Sequence, residues 1–150
     1  MLLWALLLPL LALASPVHQA RQLALTLFPE RVVHQFPNHT WLENVVVKSN
    51  GDLLVTALLP NAVLYQISDP SSSEAMVSLV HNFTSVDGIL GITETKSDVF
   101  AVVGGNFTGI GIPANGTFSA WEVDLSHYDH IHNIETPTTV KLIKIGRAHV

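Results

Sequence analysis

The sequence predicts an all-β fold built from repeated four-stranded antiparallel units, and three observations predict it. First, Arg31–Thr56, "RVVHQFPNHTWLENVVVKSNGDLLVT", is echoed by Ser78–Val103, "SLVHNFTSVDGILGITETKSDVFAVV". Val33 and Val80 stand 47 positions apart, while Leu53 and Val99 stand 46 apart because "KSNGD" is one residue longer than "TKSD". A period of about 40–50 with several short strands per unit marks propeller blades. Second, short β-branched or apolar runs alternate with turn signals such as "SNGD" and "PNA". Third, helical periodicity is weak beyond the N-terminal apolar run, where only Gln19–Leu27 could wind briefly.

Composition supports a packed domain. The chain has 150 residues, 48% of them hydrophobic and 13% charged, which suits a core-forming sequence and not a disordered one. Seven basic residues against twelve acidic ones give a net charge of −5. The basic residues are scattered, so nucleic acid is not an expected partner, because phosphate neutralisation needs clustered cations. There are no cysteines. A small secreted domain usually needs disulfides, so their absence points to membership in a larger closed fold.

In chain order, residues 1–14 are read as a secretory signal. The apolar run Leu2–Ala14 falls short of the roughly 20 residues that span a bilayer, and Ala12-Leu13-Ala14 supplies a small-x-small cleavage pattern. No membrane span is expected after its removal. The sequons Asn38, Asn82, Asn106 and Asn115 agree with a secretory route and mark four expected glycosylation sites. Residues 15–30 form a lead-in, and residues 31–144 carry the repeats. Arg31–Phe36 is expected as an outer strand that closes a ring from the N-terminus. Val45–Lys48, Leu53–Leu58, Val63–Ile67 and Met76–Asn82 make a first four-stranded blade. Ile89–Thr93, Val99–Val103, Phe118–Asp124 and Thr139–Ile143 make a second, interrupted by the Gly-rich loop Gly104–Thr117. The expected architecture is a partial β-propeller of about two blades plus the closing strand, where propellers need about 4–8 blades. The end, "IGRAHV" at 145–150, is what a widely used sequencing adapter would encode. It is read as a translated artefact, with the true chain continuing past Lys144.

"TWLENVVVKSNGDLLVT", "LGITETKSDVFAVVGGNF" and "GTFSAWEVDL", in that order, resemble the fungal branch of the SMP-30/gluconolactonase-like six-bladed propellers, and within it the hetero-Diels–Alderase-like proteins. The resemblance covers about Val32–Ile143. It implies a secretory-pathway enzyme acting on a small apolar metabolite, assisting a cycloaddition in fungal secondary metabolism without a metal. The runner-up reading is a divalent-metal-dependent lactonase or esterase of the SMP-30 type. A secreted propeller that binds a ligand without catalysis is the third expectation, and the oligomeric state stays open.

Propeller sites lie where the innermost strands converge, and Glu43 begins such a strand. The SMP-30 pattern has a Glu at a comparable point, which makes Glu43 the candidate ligand for a hard cation such as calcium. Its counterpart in the second unit is Leu90. Asn106, in "VVGGNF", is a candidate for the pocket, for a glycan, or for a plain turn. Trp41 and Trp121 are candidates to line an apolar pocket, although such aromatics more often fill the space between blades. Glu94 reads as a solvated turn residue. The "HYDHIH" cluster, His127 to His132, reads as a solvated loop, since it has no matching downstream pair and a zinc site needs about three or four ligands at fixed geometry. His34 and His81 recur with the repeat and read as structural.

Overall fold

In the computed structural model, residues 30–109, 111–127 and 139–143 are described. The signal segment, the Gln19–Leu27 run, Tyr128–His132 and the terminal "IGRAHV" lie outside them. The described residues hold ten strands and no helix. Residues from Val33 onward form one unit, which contains every strand below.

The first sheet is a meander of β1 (Trp41–Val47), β2 (Leu53–Leu59), β3 (Val63–Ser68) and β4 (Met76–Asn82), neighbours in that order and antiparallel throughout. The second contains β5 (Gly88–Lys96), β6 (Val99–Gly105), β9 (Ser119–Asp124) and β10 (Thr139–Ile143), again adjacent in chain order. A two-stranded hairpin, β7 (Phe107–Gly109) with β8 (Ile112–Pro113), interrupts it where the sequence reads as a Gly-rich loop. The eight long strands coincide with the eight expected runs. β1 and β5 are longer than expected, because their partners extend the ladder to Trp41↔Leu59 and Gly88↔Gly105.

The turns obey local chemistry. In the β1–β2 turn Gly51 has φ +90°, a left-handed conformation that costs glycine little. The turn closes with Lys48 N–H donating to the Asp52 carbonyl at 2.8 Å. Beneath it lies a buried polar group. Gln66 Nε2 donates to Asp52 Oδ2 at 2.8 Å and to Ser68 Oγ at 3.2 Å, while Lys48 Nζ donates to Gln66 Oε1 at 3.5 Å. These side chains are buried and mutually satisfied, as a polar cluster in an interior must be.

The two sheets pack face to face. Leu54 and Leu64 of the first meet Ile89, Phe100, Val102, Trp121 and Val123 of the second, with Phe83 between them. Removing each such aliphatic side chain from water contributes about 1.5–3 kcal/mol. Polar pins flank this core. Ser49, in the β1–β2 turn, donates through its backbone N–H (3.0 Å) and its hydroxyl to the Asp98 carboxylate in the β5–β6 turn.

The repeated Val-His-x-Phe now has a structural meaning. His81 and Phe83 meet edge-on at 4.6 Å, and Phe83 packs on Trp121 at 5.0 Å. In the first copy His34 and Phe36 meet at 4.7 Å, and Phe36 packs on Tyr65 at 5.2 Å. Tyr65 and Trp121 are equivalent by register. Tyr65 pairs with Val55, which pairs with Val45, just as Trp121 pairs with Val102, which pairs with Ile92. Each copy therefore delivers a phenylalanine onto the third strand of the sheet that follows it. The expected strand at Arg31–Phe36 is the exception in backbone terms. No strand is assigned there, because a strand is defined by its ladder and no described strand pairs with this segment.

Candidate functional site

β1 and β5 each begin at the same end of their sheets, and each is broken near its start by a bulge. In β1, Leu42 pairs with Ala57 and Asn44 with the adjacent Thr56, so Glu43 is the extra residue. In β5, Ile89 pairs with Gly104 and Ile92 with Val102, so Leu90 and Gly91 together face Val103. A bulge bends its strand and re-aims the extra side chain, which is why bulges recur beside active sites.

Thr56 ties the two bulges together. Its fully buried hydroxyl accepts the Asn44 N–H at 3.0 Å and donates to the Leu90 carbonyl at 2.8 Å. The hydroxyl thus bridges the N–H of Asn44, the residue after Glu43, and the carbonyl of Leu90, the position that the repeat pairs with Glu43. Glu43 is exposed. Beside it β1 presents Trp41 (43% exposed), Leu42, Val45 (57%) and Val47, an apolar strip with one carboxylate.

Glu43 alone does not make a cation site. Calcium takes 6–8 oxygen ligands, and the described residues include no group of three or more His, Cys, Asp or Glu placed to hold a metal. A set of three or more such side-chain ligands that included Glu43 would have to draw on residues outside those described.

Trp121 is elsewhere. It is 6% exposed and sits in the core against Phe83, as inter-sheet filler. Asn106 closes a loop. Its Oδ1 accepts the Asp87 N–H at 3.0 Å, its own N–H donates to Thr117 Oγ1 at 3.0 Å, and its carbonyl accepts the Ala114 N–H at 2.8 Å. Asp87 answers by accepting the Phe107 N–H at 3.2 Å. The preceding glycines serve close packing. A Cβ on Gly104 would lie 2.5 Å from the Gly88 carbonyl oxygen and 2.6 Å from Ile89 Cδ1.

At this same end a cleft of about 370 Å³ opens between the β2–β3 turn and the β4–β5 loop. Asn61, Asn82, Thr84 and Asp87 supply its polar walls, and Leu59 and Val86 its apolar ones. None of Glu43, Asn106, Trp41 or Trp121 lines it. The structure therefore places Glu43 and Trp41 on one strand start, Asn106 in a loop lock, and Trp121 in the core. Sequence reasoning passes over Thr56 and Asp87. The available signal for Asp87 is the "DG" turn before a strand, and for Thr56 only its place inside an apolar run.

Titration is perturbed at three described positions. Burial holds the His81 imidazole below its ordinary range. At Asp98 burial pushes the carboxyl up, but the Ser49 hydrogen bonds and the Lys48 charge together outweigh it, and the net direction is down. Asp124 is also lowered, chiefly by the Ser126 hydroxyl and N–H. All three belong to turns or packing, away from the Glu43 bulge.

No protein-family model matches the chain. It is 40% identical over 102 residues to the protein named "Putative hetero-Diels-Alderase" from Phoma sp, a match covering 65% of this chain and 29% of that one. It is 40% identical over 102 residues to "Putative hetero-Diels-Alderase asR5" from Sarocladium schorii, covering 65% of this chain and 25% of that one. The chain thus spans between a quarter and a third of the length of these curated relatives.

Proposed function

We propose that this chain contributes two blades of a β-propeller that binds a small apolar metabolite and assists a hetero-Diels–Alder cycloaddition in fungal secondary metabolism. The observation that carries the reading is the 40% identity to two proteins bearing that name. Two further features support it. The sheets have the same four-stranded meander order and share one buried core, as consecutive blades do. The exposed Trp41–Leu42 pair at the β1 bulge offers an apolar surface at the end where inner strands begin.

A hetero-Diels–Alder reaction joins an oxygen-containing diene to an alkene. Two σ bonds form, three π bonds become one, and no atom leaves. The reaction needs no nucleophile and no proton acceptor. Catalysis comes mainly from holding the reacting arms in near-attack geometry and from surfaces that fit the transition state better than the ground state. An apolar strip on a rigid, bulged strand suits that task, and exposed Trp41 carries an indole N–H, a donor suited to a carbonyl oxygen of the diene.

The test is a stereochemical one. The full gene product is incubated with an α,β-unsaturated ketone that carries a tethered alkene. The expected result is a dihydropyran formed faster than in buffer and enriched in one enantiomer, with the enrichment reduced in Trp41→Ala. A racemic product at the buffer rate across a panel of such tethered pairs would refute the proposal.

A further inference from the structure

The meander sends alternate loops to opposite ends of the sheets. One end holds the segment before β1, the β2–β3 turn, the β4–β5 loop and the β6–β9 insertion. All four sequons of the chain fall at this end: Asn38 before β1, Asn82 at the close of β4, Asn106 just after β6, and Asn115 just before β9. The other end, with the turns at 48–52, 69–75 and 97–98, carries none.

The four are not equivalent in structure. Asn38 is exposed in a turn. Asn115 is exposed beside Gly116, whose φ is +73°. Asn82 and Thr84 are exposed while Phe83 between them turns into the core, so the asparagine and the threonine of that sequon both face out. Asn82 opens onto the polar cleft, where Asn61, Thr84 and Asp87 offer partners to a first sugar. Asn106 differs from all of these. It is half-buried, its amide oxygen is held by the Asp87 N–H, and its backbone is held by Thr117 and Ala114.

We propose that this end of the molecule is N-glycosylated at Asn38, Asn82 and Asn115, with the Asn82 glycan seated in the cleft, and that Asn106 stays bare. N-glycans are bulky and need water around them. The glycosylated end therefore faces solvent. The proposal does not depend on which reaction the protein assists, so a failed cycloaddition assay leaves it standing.

The full chain, secreted from a yeast host, is treated with peptide-N-glycosidase in heavy-oxygen water and read by peptide mass spectrometry. Heavy-oxygen aspartate is expected at positions 38, 82 and 115, and unlabelled asparagine at 106. Asn38→Gln, Asn82→Gln and Asn115→Gln should each remove one glycan from the gel mobility pattern, and Asn106→Gln none. Thr117→Ala is the wrong way to delete the Asn115 sequon, because that hydroxyl also holds the Asn106 loop. Any other labelling pattern overturns the proposal, including label at 106 or no label at all.

Discussion

The two sheets share their strand order and the pairing around the bulge near the start of the first strand, yet they use their equivalent positions differently. At the bulges the first sheet places Glu43 and the second Leu90. On the third strand Tyr65 receives a half-exposed Phe36, whereas Trp121 receives a Phe83 that is 3% exposed. At the closest approach of first and second strands the first sheet tolerates Ala57 and the second requires Gly104. The comparison teaches that the repeat specifies backbone pairing and one aromatic contact. The chemistry and the tightness of packing are set sheet by sheet.

The sharpest way to break the comparison is through the paired phenylalanines. Phe83→Ala should destabilise the fold by about 3–5 kcal/mol, since it empties a closed core site. Phe36→Ala should cost clearly less, because its ring is partly in water. Urea unfolding of both variants checks this, and equal losses would mean that the two contacts are energetically the same.

Next in size is Gly104→Ala, which would press a methyl into the Gly88 carbonyl and Ile89. A loss of about 1–3 kcal/mol is expected from overpacking. Gly91→Ala meets nothing within 4 Å and should be close to neutral apart from the bulge conformation. Thermal unfolding separates the two.

Thr56→Val tests the joint between the bulges. It strands the Asn44 N–H and the Leu90 carbonyl, an expected cost of about 1–3 kcal/mol. Thr56→Ser should recover most of it. Amide hydrogen exchange at Asn44 is the specific readout: it should accelerate in the valine variant and not in the serine one.

The smallest effect is a pH dependence from His81. Burial lowers its folded pKa below the unfolded value of about 6.5. The unfolded chain therefore binds the extra proton more readily. Stability is complete above about pH 6.5 and falls as the pH drops from there toward the lowered folded value. Unfolding midpoints of wild type and His81→Gln, compared between pH 7.5 and pH 5, should converge as the pH falls. Parallel curves would remove His81 from the account.

Much of this is legible in the chain because it is local. Strand runs such as Leu53–Leu58 and Val63–Ile67, the "SNGD" turn and the 47-residue period all follow from side-chain alternation and turn chemistry. The β7–β8 hairpin is not legible. Phe107–Gly109 and Ile112–Pro113 are too short to show alternation, and the glycines around them read equally well as loop. The site is legible only in part. Glu43 can be read from the chain as a residue near the start of a strand, but the bulge that re-aims it comes from a mismatch between β1 and β2. No single run of sequence displays such a mismatch.

By itself, then, the sequence determined an all-β chain, its strand order, the doubled unit and the aromatic that recurs with it, because period and propensity act within a few residues. Only the tertiary structure decided that Asn106 is a loop lock, that Trp121 is core, and that Thr56 joins the Asn44 N–H to the Leu90 carbonyl. The Asn106 and Thr56 hydrogen bonds span 11 and 34 residues of chain, and Trp121 meets a phenylalanine from the other sheet's last strand end. A hydrogen bond or a ring contact between distant segments exists only once both sheets have folded against each other.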